Sequence, residues 1–410
     1  MSGREAFLLP ENFPKDAPRL WTRPFTLLML ASLLVYANIS IFFKYYNYLE
    51  QLPIDPHCYG LLMGVFSGVS LSLRPLISPW FNETNARRFM LLGSVLIIGA
   101  LCAYSLAAGF WSMLAVRCLH GLGFVVMGSA LMALLVPHIP LDRSAQAFGI
   151  MSVVVLLPNT MVPPLWPYLD RVFSGFTDVL LAFAGLTVMV FPVVCLMGPA
   201  GRAGDTAKVS VRLTWPEIKT NLRTGRILTL LGAMLALYSG ESLVFFFLAG
   251  YAKHSSLGSV GFFFTLSTLS QIGVRLVAGK RFDRMDKTRL LTATLVVLAV
   301  CYGVLGHVTC RWWLMGLGVL LGLGWGICLP VFNSLMFDVS ETRFRAYNAN
   351  LGLQMLQGGY FIGPLIGSVI VEQMGFTLLF YFAGLLSMGG AGLCLNLLHS
   401  AKSGGLHARL

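Results

Sequence analysis

The chain has 410 residues, of which 56% are hydrophobic and 11% charged, with a mean hydropathy of +0.76. Soluble domains carry roughly 25% charged residues, so water is excluded as the main solvent. The net charge of +12 invites a nucleic-acid partner, but the basic residues gather in alternate loops between apolar runs, which excludes that reading.

The polar residues 1–23 contain Pro10, Pro14 and Pro18 and lead into a full-length apolar run with no small-residue cleavage site. They read as a retained tail and not as a signal peptide. Apolar runs then follow at 25–43, 58–79, 89–109, 111–136, 146–168 and 178–198, and again at 227–249, 258–280, 289–308, 311–336, 346–371 and 376–398. Each approaches the ~20 residues that cross a hydrocarbon layer as a helix. None has the period-2 alternation of a membrane barrel, and backbone groups in lipid must be satisfied within each segment. The expected fold class is an all-α membrane protein of twelve transmembrane helices. Its expected parts are a tail (1–23), a six-helix bundle (24–198), a basic linker (199–226), a second six-helix bundle (227–398) and a C-terminal tail (399–410).

Arg4, Lys15, Arg19, Arg23, Arg87, Arg88, Arg143, Arg202, Lys208, Arg212, Lys219, Arg223, Arg226, Lys280, Arg281, Arg284, Lys287, Arg289, Arg343, Arg345, Lys402 and Arg409 all fall on one side of this arrangement. The other side holds Lys44, Arg171, Lys253 and Arg311. The positive-inside rule then places both termini in the cytoplasm of a multi-pass protein of the cytoplasmic (inner) membrane. The cysteines are scattered singly without paired spacing and read as small core residues. His120, His254 and His307 lack ligand-spaced partners, so no metal and no cofactor is expected.

Laying the second half on the first at an offset of about 200 residues brings Gly60, Arg74, Trp111, Gly121 and Gly123 onto Gly261, Arg275, Trp312, Gly322 and Gly324. Pro164-Leu165 falls on Pro364-Leu365, and Gly175-Phe176-Thr177 on Gly375-Phe376-Thr377. Chance supplies Gly matches in such a composition, but Trp, Arg and Pro matches in one register point to a parallel 6+6 repeat.

Arg275-Leu276-Val277-Ala278-Gly279-Lys280-Arg281-Phe282-Asp283-Arg284 resembles the loop motif after the second span of each half in the major facilitator superfamily. The first-half copy, Arg74-Pro75-Leu76-Ile77-Ser78-Pro79-Trp80-Phe81-Asn82-Glu83 with Arg87-Arg88, has Ser78 and Asn82 where that motif has Gly and Asp. Arg117-Cys118-Leu119-His120-Gly121-Leu122-Gly123 is similar to the family's span-4 motif, whose arginine is implicated in proton coupling. Gly358-Gly359-Tyr360-Phe361-Ile362-Gly363-Pro364 resembles the antiporter kink motif but sits in span 11, while Phe262-Phe263-Phe264-Thr265 leading to Arg275 is similar to the drug and sugar efflux (arabinose efflux permease-like) branch. The resemblance implies two bundles rocking around a central cavity, and a gating motif made of Arg74, Arg87, Arg88, Arg275, Gly279, Asp283 and Arg284.

A charge in mid-membrane costs several kcal/mol, with estimates from about 2.5 to above 10, so intramembrane ionisable residues are functional candidates. Glu241 and Arg117 stand out as proton-coupling candidates, and their repeat partners are the uncharged Ile39 and Gly318. The alternatives are a structural carboxyl held by Ser or Tyr hydroxyls and a helix-packing arginine. Tyr36, Asn38, Asn159, Tyr238, Gln271, Asn333, Asn350 and Gln354 are candidates to line a substrate cavity, each of which can equally be interhelical glue.

The expected function is secondary active transport of a small amphiphilic or anionic solute, with proton-coupled efflux ahead of uptake by symport or facilitated diffusion. A membrane sensor or enzyme on the same fold is the alternative of a different class, and the sequence holds no catalytic cluster to support it. The expected partners are the solute, protons and lipid, with the protein a monomer.

Overall fold

The computed structural model describes residues 20–77, 80–81, 84–135, 138–139, 144–197, 215–282, 285–341 and 344–407. Span 1 begins as α1 (Arg23–Ser40), capped by Thr22, whose hydroxyl accepts the Phe25 N–H. It passes through a 3-10 turn (Ile41–Lys44) into α2 (Tyr45–Leu49), so the first span runs past the apolar limit expected at residue 43. Spans 2 to 5 are α3 (Tyr59–Ile77), α4 (Ala86–Ala103), α5 (Phe110–Leu135) and α6 (Ser144–Val172). Span 6 breaks at Met189 into α7 (Phe176–Val188) and α8 (Val190–Cys195). Pro192 explains the break, because it has no N–H to give the Val188 carbonyl.

Within the expected linker, α9 (Trp215–Leu222) is a short helix whose Asn221 pairs with Asn348 at 2.7 Å. The second half comprises α10 (Gly225–His254), α11 (Gly261–Phe282), α12 (Lys287–Leu305), α13 (Arg311–Val339) and α14 (Arg345–His407). α14 turns back on itself at Gly375, where φ is 81° and only glycine is unstrained, so it supplies two spans. Ten helical stretches are long and apolar enough to cross a bilayer, and Gly261–Val277 is a shorter apolar helix. With the stretch Asn350–Leu397 counted as two limbs, the fold is twelve transmembrane helices in two six-helix bundles.

Close approach of the helices depends on glycine. A Cβ on Gly322 of α13 would overlap the Ser267 backbone of α11, and one on Gly359 would stand 2.5 Å from Tyr238 Cβ of α10. Between the bundles, Gly60 and Gly64 of α3 lie against the α14 backbone at Pro364 and Phe361. Gly261 of α11 lies against Pro163 and Pro164 of α6 in the same way. Pro164 cannot donate to the Thr160 carbonyl, and Thr265 Oγ1 donates to it instead at 2.9 Å, which ties α11 to α6.

These inter-bundle seams lie towards the end of the molecule opposite Arg23 and His407, the distal end. There Glu50 meets Lys253 at 2.7 Å and His254 at 3.2 Å, His57 meets Glu372 at 2.7 Å, and Tyr46 packs its ring on Phe247 and Phe376. Among the described residues, the hydrogen bonds and ion pairs seen to join the bundles belong to this distal half, which is therefore closed.

Candidate functional site

Two polar assemblies lie inside the spans, one in each bundle. In the first, α5 carries Arg117 into the packing between α3, α4 and span 1, where it is 2% exposed. Its Nε and Nη2 donate to the Leu62 and Met63 carbonyls at 2.9 and 2.8 Å, and Nη1 donates to the Tyr104 hydroxyl at 3.4 Å. The rings of Phe42, Tyr45 and Phe66 surround the guanidinium at 4.5, 4.7 and 5.3 Å.

One helical turn on, His120 joins the network through Nε2 to Asn38 Oδ1 at 3.1 Å and Nδ1 to the Tyr104 hydroxyl at 3.4 Å. Arg117 forms no ion pair among the described residues. Its charge is met by carbonyl dipoles and aromatic faces, a combination suited to guanidinium and not to ammonium.

In the second bundle, Glu241 of α10 is half-buried. Arg275 of α11, Tyr238 of its own helix, Tyr302 of α12 and Tyr360 of α14 all lie within electrostatic reach of its carboxylate. Among the described residues the Glu241–Arg275 couple does not close into an ion pair. Arg275 Nε instead donates to the Gly326 carbonyl at 3.4 Å.

The first bundle repeats part of this arrangement. Arg74 acts on Tyr36 as Arg275 acts on Tyr238, and its guanidinium lies against Gly128 of α5. The acid has no counterpart there. Arg74 and Arg275, expected as gate residues, thus also act on the paired tyrosines of spans 1 and 7.

The remaining site candidates separate by burial. Asn38 is fully buried on His120, and Gln271 is buried where α11 meets α13, so both sit in helix contacts and not on an open wall. Tyr36, Asn159 and Gln354 are half-buried, Tyr238 is buried, and Asn333 and Asn350 are exposed. Of the gating motif, Arg87 and Arg88 open α4 and Gly279 lies in α11, whereas Asp283 and Arg284 fall outside the described residues. Sequence reasoning missed Tyr104, His120, Tyr302 and Tyr360 as polar neighbours, since a lone ring in an apolar run carries no spacing signal. It also passed over the distal Glu50, His57, Lys253 and Glu372. Their acidic and basic members come from different halves of the chain, and only folding pairs them.

Comparison with known proteins agrees with this architecture. Residues 25–358 match the model of the Major Facilitator Superfamily. The multidrug resistance protein MdtG of Dickeya zeae is 24% identical over 387 residues, covering 89% of this chain and 91% of that protein. The multi-drug resistance efflux pump PmrA of Streptococcus pneumoniae serotype 4 is 22% identical over 390 residues, with 89% and 93% covered. Among solved structures, a bacterial homologue of the human lysosomal transporter Spinster, inward-facing and unoccupied, superposes with a TM-score of 0.70 at 14% identity, over 94% of this chain and 96% of that one. A point mutant of the nucleoside transporter NupG gives 0.72 at 13% identity, over 92% and 99%. These likenesses show the fold. With two six-helix bundles related by an internal repeat and a family model spanning most of its length, the chain belongs to the Major Facilitator Superfamily.

Proposed function

We propose that this protein is a proton-coupled exporter of small amphiphilic solutes, standing with its termini in the cytoplasm of the inner membrane and its distal end outside. The observation that carries the reading is Glu241, a carboxyl set deep in a span among tyrosines from three helices, within reach of Arg275 but free of an ion pair with it.

Such a group serves two occupants in turn. As a carboxylate it attracts a proton or the cationic part of a solute, and as a carboxylic acid it is neutral and releases the solute. Loading the proton from one side and the solute from the other exchanges them as the bundles rock. Of these tyrosines, the half-buried Tyr360 offers an aromatic surface for an amphiphile, while Tyr238 and Tyr302 are buried in helix contacts behind it. Relatives named as multidrug pumps support the export direction. Arg117, closed off by its own bonds, sets the packing of span 4 against spans 1 and 2, a positioning role. Arg74, Arg87, Arg88, Arg275, Gly279, Asp283 and Arg284 serve the gate on the terminal side, with Arg275 shared between gate and site.

The test is transport of a fluorescent amphiphilic cation in inside-out vesicles with an imposed pH gradient. Glu241→Gln is expected to lose gradient-driven accumulation by tenfold or more, about 1.4 kcal/mol per factor of ten, while solute counterflow without a gradient persists. Full gradient-driven export by the variant removes Glu241 from coupling, and accumulation in the opposite orientation establishes uptake instead.

A further inference from the structure

The distal face carries two carboxylate groups of contacts whose charge is met differently. Glu50 is answered by Lys253 and His254. Asp55 and Glu372 share His57, whose Nδ1 stands 2.7 Å from Glu372 Oε2 and whose backbone N–H donates to Asp55 Oδ1 at 3.0 Å. One ligand atom from each of Asp55, His57 and Glu372 lies within 4.8 Å of the other two. The triad therefore has negative charge that a single imidazole does not neutralise.

We propose that Asp55, His57 and Glu372 bind a divalent first-row transition-metal ion of the Zn²⁺ class from the outside, and that the bound ion pins the distal ends of the two bundles together.

One imidazole nitrogen and two carboxylate oxygens make up a ligand set that Zn²⁺ accepts, with water completing the tetrahedron. The imidazole selects against Ca²⁺ and Mg²⁺, which take oxygen ligands. Ligand distances of about 2.0–2.2 Å put neighbouring donor atoms about 3.4 Å apart. The Nδ1–Oε2 contact thus needs to open by less than about 1 Å to admit the ion. The side chains of His57 and Glu372 are 60% and 26% exposed, which leaves the ion a way in.

The consequence comes from topology. Asp55 and His57 precede α3 in the first bundle, whereas Glu372 closes the first limb of α14 in the second. Separating the distal ends breaks up the ligand set, so the ion binds the closed form more tightly and shifts the equilibrium towards it. That occupancy slows the transport cycle rests on the alternating-access reading, while the site itself rests on the triad alone.

The test uses purified full-length protein freed of any affinity tag. Zn²⁺ is titrated by calorimetry into the wild type, His57→Gln, Glu372→Gln and His57→Cys, and hydrogen exchange is followed over residues 50–58 and 370–376. The expected result is a site whose affinity falls about tenfold or more in both Gln variants and returns in His57→Cys, with exchange of both segments slowed by Zn²⁺ and not by equal Mg²⁺. Unchanged affinity in the Gln variants places the ion elsewhere and overturns the site. Equal protection by Mg²⁺ reduces it to charge screening. Binding without slower exchange at 370–376 overturns the pin. None of these readouts measures transport, so an inactive exporter and an absent metal site give different results.

Discussion

Arg117 carries a guanidinium into a nearly water-free contact between helices and is held there by two carbonyls, a tyrosine hydroxyl and three rings. A lysine at this place keeps the charge but reaches one carbonyl at a time and loses the planar stacking. Arg117→Lys is therefore expected to lower stability by roughly 1–3 kcal/mol, the cost of unsatisfied buried polar groups. A drop in the unfolding midpoint of the detergent-solubilised protein checks it, and an unchanged midpoint refutes the structural account. The same loss is expected to leave Glu241 in place, because the two assemblies lie in different bundles. Glu241 and Arg117 looked equivalent as isolated charges in apolar runs, and their surroundings separate them. One is saturated by fixed partners, whereas the other is within reach of a cation it does not bind.

The elements show two kinds of glycine contact with different consequences. Gly322 lies inside the second bundle against the Ser267 backbone, a contact between two helices of one bundle. Gly322→Ala has no room and is expected to destabilise the fold by about 1–3 kcal/mol, as overpacking does, with lower yield and midpoint as the readouts. Gly60 and Gly261 instead lie on the seams between bundles, against α14 and α6. Gly60→Val is expected to spare the midpoint largely while opening the distal end, raising the labelling rate of a cysteine placed at Ser368 by a membrane-impermeant thiol reagent. If labelling stays at the wild-type rate, the α3–α14 seam does not hold the distal end closed. The repeat places both seams by one rule, since Gly60 and Gly261 occupy the same register position. The turns differ, because Gly375 requires positive φ while Gly175 is extended at φ 178°.

For the whole molecule, the balance between the two end states depends on small terms. Glu50, 19% exposed at its side chain, holds Lys253 and His254 across the distal end, and such partly exposed pairs are worth up to about 1 kcal/mol. Glu50→Gln is expected to shift the population towards the distal-open form by up to about fivefold, seen as faster hydrogen exchange at residues 45–58 and 250–257. Unchanged exchange there would show that packing at Tyr46, Phe247 and Phe376 holds the end closed without the ion pairs.

The sequence by itself determined the class, the number of spans and the two-bundle plan, because hydrocarbon allows only closed backbone hydrogen bonding and the repeat left Trp, Arg, Pro and Gly in register. It also singled out Glu241 and Arg117, because unpaired charge is rare and costly in lipid. Only the tertiary structure decided that Arg117 is enclosed with His120, Asn38 and Tyr104, and that Arg275 attends Glu241 as well as the gate. It alone brought Asp55 and His57 to Glu372. The physical reason is that burial and solvation cost act along a single helix and are legible residue by residue. A hydrogen bond, ion pair or ligand set joins atoms from different helices, and their meeting depends on how close the intervening glycines let those helices come.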